Sequence, residues 1–312
     1  MTTDRQVLDT ITNTTEMISP INDDMFHSFM QYIDVKDKSL ETYTRSLKQF
    51  FNYITVKGIT EPTRQDIVQY RETLKADKQP ATVQLYMIAV KQFFKWTDKA
   101  GIYPNVADNV KGVSVSKGMK KDYLTTGQVK DVLSRIDTET VKGKRDYAII
   151  ALMVTCGLRD IEVSRANVAD LRTRQNSTVL YIQGKGKDDR ESFVVVPDSL
   201  ETVIRDYLKA RGGNSKALFT SNSNHGKGDR LTTRSISRIV KTAMINAGLD
   251  SDRLTAHSLR HTAVTQALIA GQTLQEVQQF ARHSNINTTL IYAHNLENEQ
   301  NQCSGKLADM FL

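Results

Sequence analysis

The 312-residue sequence has only two cysteines, Cys156 and Cys303, so it holds no disulfide framework and no cysteine-based metal cluster. A reducing cytoplasm suits it, nucleoid-associated if the host is bacterial. No window reaches the roughly 18 uninterrupted apolar residues of a membrane span. The opening "MTTDRQVLDTITNTTEM" is polar and lacks the apolar core of a secretory signal, so no membrane association is expected. Internal repeats and low-complexity tracts are also missing. Disorder is excluded in turn, because 39% hydrophobic residues suffice for real cores and the length suits two domains.

Acidic charge is in short supply, with 35 Asp and Glu against 42 Lys and Arg, a net of +7. The excess is uneven. Residues 1–116 hold 14 of each sign, so the whole surplus lies in residues 117–312. Within the first part, the opening 34 residues hold one basic side chain against six acidic ones, whereas residues 35–116 hold thirteen against eight. A basic body behind a mildly acidic leader fits a polyanionic partner such as DNA, with an ordinary solvated surface as the alternative.

Hydrophobic spacing divides the chain into a polar leader (1–20), a helical domain (21–103), a basic linker (104–121), a second domain (122–296) and a short tail (297–312). In the first domain, Leu40, Tyr43, Leu47, Phe50, Phe51 and Ile54 form a helical stripe that Gly58 can end. Thr63 can cap a second helix, and Pro80 can open a third, with Val83, Met87, Val90, Phe93, Phe94 and Trp96 on its apolar face. These aromatics read as core. Arg45, Lys48, Lys91 and Lys95 between them are candidate phosphate contacts. In the second domain "RDYAIIALMVTCGL" must be a buried helix, and "STVLYIQGKGKDDRESFVVVP" reads as strand–turn–strand. Helical patterns follow at 199–210, 233–247, 258–270 and 273–281. The fold class is mainly α with a small antiparallel β-sheet.

"HSLRHTAVTQALIAGQTLQEVQQFARHSNINTTLIYAH" (257–294) gathers four of the six histidines with Arg260, Arg282 and Tyr292. His257 and His261 have the spacing of a zinc-protease helix, but Ser-Leu-Arg lies between them, without the glutamate base and with a cation where a dication would sit. No acidic metal-binding trio is evident, and neither a metal nor another cofactor is expected. Phosphate fits better. His257 and Arg260 lie three apart and can share a pocket, and arginine's rigid fork grips two phosphate oxygens. Arg159 follows a buried helix and a glycine, and an ion pair with Asp160 or Glu162 is its plainer role. Lys185 lies in "QGKGKD", where glycines allow close approach, although it could be an ordinary turn lysine. His283 can donate or shuttle a proton. Tyr292 is a candidate nucleophile if electropositive neighbours activate it, and otherwise a packing residue.

Taken in order, "CGLRDIEV", "GKGKDDR", "HSLRH" and "ARHSNINTTLIYAH" resemble the tyrosine recombinases, the phage integrase family, from about Asp23 to Leu296. The resemblance implies a two-domain DNA clamp made of a helical core-binding domain and a catalytic domain. It implies that Arg159, Lys185, His257, Arg260 and His283 handle a scissile phosphate while Tyr292 attacks it, leaving a 3′-phosphotyrosyl link and a free 5′-hydroxyl. Lys185 would protonate the leaving oxygen, and Glu162 and His261 would support the pocket. The expected partners are double-stranded recombination sites, three further copies in a tetramer that passes through a Holliday junction, and an accessory DNA-bending or excisionase protein. The tail "CSGKLADMFL" would dock on a neighbour or pack back on its own domain.

Arg282 departs from the pattern, standing where many relatives have glycine. It would either reshape the helix join or add a phosphate contact. The leader is longer than compact resolvases need and shorter than an arm-binding domain, which favours an integrase-like enzyme of a mobile element over an Xer-like chromosome or plasmid dimer resolvase. A non-catalytic DNA-binding protein and a topoisomerase-like enzyme are the rivals.

Overall fold

The computed structural model describes residues 22–115, 121–184, 189–223, 226–299 and 301–312. The leader at 1–20, residues 116–120 near the end of the linker and Lys185 lie outside the described residues. The chain forms two compact units, one ending at Lys117 and the next beginning at Gly118.

The first unit is helical: α1 (Asp23–Tyr32), α2 (Asp37–Lys57), α3 (Arg64–Asp77) and α4 (Pro80–Lys99). Its boundaries have local causes. The Asn22 side chain accepts from the Met25 N–H at 3.1 Å, closing the start of α1. Gly58 ends α2 in the left-handed conformation at φ 64°. Thr63 and Asp66 cap each other's main chain at the start of α3, and Pro80 occupies the first turn of α4, where no N–H is needed. Leu47, Phe50, Val83, Val90, Phe93 and Phe94 are fully buried, each removing apolar surface worth about 1.5–3 kcal/mol. The rings meet edge to face, Phe50 on Phe94 at 5.8 Å and Phe29 on Phe93 at 5.6 Å, so these aromatics build a core. Arg45, Lys48 and Lys95 point to solvent and Lys91 is half-buried.

Residues 104–115, expected to begin a linker, instead pack on this unit. Ala107 and Val110 join its core, the Val113 N–H donates to Gln84 Oε1 at 3.0 Å, and Arg71 holds the Lys111 carbonyl at 2.8 Å. Small apolar residues spaced without helical period can still be pinned by side chains from a neighbouring helix, which is why periodicity alone read them as linker.

The second unit runs α5 (Thr126–Ser134), α6 (Val141–Cys156), α7 (Asp160–Arg165), a 3-10 turn, β1 (Leu171–Arg174), β2 (Ser177–Ile182), β3 (Ser192–Val196), α8 (Asp198–Arg211), α9 (Thr233–Asn246), α10 (Ala256–Ile269), α11 (Leu274–Ala281), α12 (Ile286–Glu299) and α13 (Cys303–Phe311). The three strands form an antiparallel sheet in chain order, with Leu180 opposite Val194 and Tyr181 opposite Phe193. Period-two alternation in β3 turns Val194 and Val196 inward and Phe193 and Val195 outward. Helix α6 runs through the core, with Ile149, Ile150 and Leu152 fully buried. Helix α13 buries none of its residues, and Met310 and Phe311 are each 74% exposed, so the tail does not pack back on its own domain. No described helix is long and apolar enough to cross a membrane.

Candidate active site

The site begins where α6 stops. Gly157 takes φ 59°, and two residues later Arg159 becomes the residue before α7. The Arg159 N–H donates to Glu162 Oε2 at 2.9 Å, and its guanidinium donates to Glu162 Oε1 at 2.7 Å. One carboxylate thus starts a helix and aims an arginine. Glu162 is buried to 1% exposure, whereas the Arg159 side chain keeps 27%.

Two more guanidiniums reach this point from other elements. Arg260, fully buried on α10, donates to the carbonyls of Gly157 and Ala281. Arg282 follows α11 in a left-handed backbone position at φ 53°. It donates to Glu162 Oε2 at 3.1 Å, to the Gly157 carbonyl at 3.0 Å and to the Phe280 carbonyl at 2.7 Å. Positive charge therefore meets the open carbonyl ends of α6 and α11, where helix dipoles favour it. The described partners of Arg282 all lie within the unit, which makes it part of the helix join. Burial, then Arg159 and Arg282, bring Arg260 down to about 9, still cationic at neutral pH. For Glu162, burial pushes the carboxyl up, but Arg282 and Arg159 outweigh it and hold the group below its ordinary value.

Three imidazoles lie near Arg260. His257 is exposed at the start of α10. One turn on, the buried ring of His261 packs edge to face against it at 4.7 Å. His261 lies 5.0 Å from the Tyr292 ring, and His283 stacks on the same ring at 6.1 Å, its Nδ1 3.0 Å from the buried hydroxyl of Thr289. Burial and the nearby positive charges lower both His261 and His283 to about 4, so both rings are neutral at physiological pH. Partial burial, then Arg260 and Arg159, lower His257 as well. His261 Nδ1 is buried without a hydrogen-bond partner.

Tyr292 sits on α12 at 5% exposure, against Val264, Val277 and Ala281. The sequence suggests that electropositive neighbours activate this phenol. In the folded chain burial raises it above its ordinary value, and Arg260 and Arg159 offset only part of that. The resting hydroxyl is protonated.

Arg159, His257, Arg260, His283 and Tyr292 thus come together, with Glu162 and His261 behind them. On either side of residues 185–188, which lie outside the described residues, Arg165 of α7 donates to the Gly184 carbonyl at 3.1 Å, and Arg190 pairs with Asp170 at 3.1 Å. Sequence reasoning overlooked Arg165, Arg190 and Thr289, because an isolated arginine or threonine has no pattern to betray an inward contact. Among the described residues no three His, Cys, Asp or Glu side chains group as a metal site.

Residues 122–299 match the family described as the phage integrase family, and residues 27–101 match the phage integrase N-terminal SAM-like domain. The chain is 30% identical to a tyrosine recombinase of Synechocystis sp. over 86% of this chain and 90% of the relative. It is 28% identical to the tyrosine recombinase XerD of Listeria monocytogenes, over 87% and 94%. The fold matches a crystal structure of the XerH site-specific recombinase bound to palindromic difH DNA, a post-cleavage complex, with a TM-score of 0.70, 22% identity and coverage of 83% of this chain and 78% of that one.

Proposed function

The chain belongs to the phage integrase family of tyrosine recombinases, and on that premise we propose that Tyr292 breaks and rejoins DNA strands at specific sites. The convergence of Arg159, Arg260 and two neutral histidines from separate elements on a single buried tyrosine supports this reading. In it, Arg159, Arg260 and His257 grip the scissile phosphate and neutralise charge that develops on phosphorus. A neutral imidazole beside the phenol, His261 or His283, accepts its proton as the oxygen attacks. The P–O5′ bond breaks as the O–P bond to Tyr292 forms, and Lys185 protonates the departing 5′-oxygen. The 5′-hydroxyl of a partner strand then attacks the tyrosyl ester, so the number of phosphodiester bonds is conserved and no nucleotide is hydrolysed. Exchange of both strand pairs requires four copies on two sites. The exposed apolar face of α13, with Leu307, Met310 and Phe311, is suited to link neighbouring copies, and accessory DNA-bending proteins would assist.

A nicked duplex that loses its 5′-hydroxyl fragment after cleavage should trap covalent protein. The site is found by selecting adduct-forming sequences from a randomised pool. Wild-type protein should form the adduct and Tyr292→Phe none; equal trapping by that variant refutes the assignment of the nucleophile. Four-way junctions from paired sites separate exchange from simple relaxation, and binding without any adduct returns the non-catalytic reading.

Within this family we read the chain as an enzyme that moves a mobile element. Similarity to XerD over 94% of that relative's length supports a second reading, dimer resolution. Mapping the selected site to the ends of a mobile segment or to a single chromosomal locus decides between them.

A further inference from the structure

We infer that Arg282 is a positioning residue: from a left-handed backbone position its guanidinium ties Glu162 to the carbonyl end of α6 and so fixes the direction of Arg159. The left-handed conformation disfavours side chains, and glycine adopts it freely. An arginine there must gain from its contacts, and it has them. One nitrogen spans Glu162 Oε2 and the Gly157 carbonyl, and the other holds the Phe280 carbonyl. Glu162 divides its oxygens accordingly, with Oε1 on the Arg159 guanidinium and Oε2 on both the Arg159 N–H and Arg282.

Exposure separates the two arginines that Glu162 joins. Arg159 keeps 27% of its side chain open and is shaped to meet a phosphate, whereas Arg282 keeps 14% and faces inward. Among the described residues, the charged and titratable groups around Glu162 are Arg159, Asp160 and Cys156 at the α6–α7 join, Arg260 and His257 from α10, Arg282 and His283 after α11, and Tyr292 from α12. Among the described residues, Arg159 and Arg282 are the cations that contact the carboxylate. Without Arg282, Glu162 would keep one counterion and lose its tether to the end of α6. Arg159 would then swing with it, away from the aim that in-line attack requires.

The test has two arms in the full-length chain, and only the second rests on the phosphotyrosyl reading. In the first, the Glu162 carboxyl is titrated without DNA by carbon-13 NMR, with E162Q identifying the resonance. R282G should raise its pKa and R282K should raise it less. In the second arm, single-turnover adduct formation on the selected nicked duplex is measured at saturating protein. R282G should slow the chemical step about 10- to 100-fold, with DNA affinity within about twofold. Its acid limb should move to higher pH, and added guanidinium should restore part of the rate. R282G combined with E162Q should be no slower than the slower single variant. Unchanged titration of Glu162 in R282G, strict additivity of the two substitutions, or a rate loss matched by lost binding would overturn the inference. If wild-type protein forms no adduct, the recombinase reading fails while the Glu162 titration still judges Arg282. If R282G does not fold, R282K carries the comparison, and wild-type behaviour from it in both arms also overturns the inference.

Discussion

Replacing Gly157 with alanine should destabilise the second unit by about 2 kcal/mol. Two effects add. A residue with a Cβ held in the left-handed region costs about 1–2 kcal/mol, and Gly157 sits at φ 59°. The new methyl group would also lie 3.0 Å and 3.1 Å from two ring carbons of Phe280. That ring is half-buried and can yield, so the overpacking cost belongs at or below the lower end of the usual ~1–3 kcal/mol range. For a unit of this size each kcal/mol moves the melting temperature by about 2–4 °C, giving a drop of roughly 4–8 °C by calorimetry. Activity should fall further than stability, because the Gly157 carbonyl accepts from both Arg260 and Arg282 and any shift of that carbonyl turns two guanidiniums. Adduct formation measured well below the melting transition reads this second effect. A melting temperature within about 1 °C of wild type, with an unchanged adduct rate, refutes the reasoning.

His261 and His283 titrate near 6.5 when unfolded and at about 4 in the fold, so the unfolded chain binds more protons between these values. Their contribution to stability is therefore full above pH 6.5 and is lost as pH falls towards 4. Calorimetry should show the melting temperature falling across that window, and His261→Gln should flatten the fall only in part, since His283 and His257 are lowered too and still titrate. Lys48→Ala and Lys95→Ala should each weaken DNA binding for all sequences alike and reduce the slope of log affinity against log salt by about one. An unchanged slope would place that lysine away from the duplex.

Elements with strong local chemistry were legible in the sequence. Gly58, Thr63 and Pro80 mark boundaries that the structure reproduces, and the strand–turn–strand pattern became β2 and β3. Strand β1 was missed because "LRTR" shows no apolar alternation, its partner strand supplying the buried face. Helix α7 was missed because six residues hold less than two turns of pattern. The helix that carries Tyr292 gave no signal, since "INTTLIYAHNLENE" has no clear apolar stripe. The candidate site residues could be read in order along the chain. Their electrostatics could not, because burial outweighs cationic neighbours at Tyr292 and only packing reveals how deeply a phenol lies. Arg282 stood out as a departure, but its inward course depends on where α6 and α11 end.

The guanidiniums that close α6 and α11 make this centre hard to disarm cleanly. Truncating Arg260 or Arg282 would strip N–H donors from the carbonyls at two helix ends, so a dead enzyme made that way would also be a frayed one. Among the described residues the Tyr292 hydroxyl closes no helix. Its removal leaves the scaffold whole, so with Tyr292 as the proposed nucleophile the phenylalanine form is the right silent copy for testing mixed active and inactive subunits to learn which one cuts first.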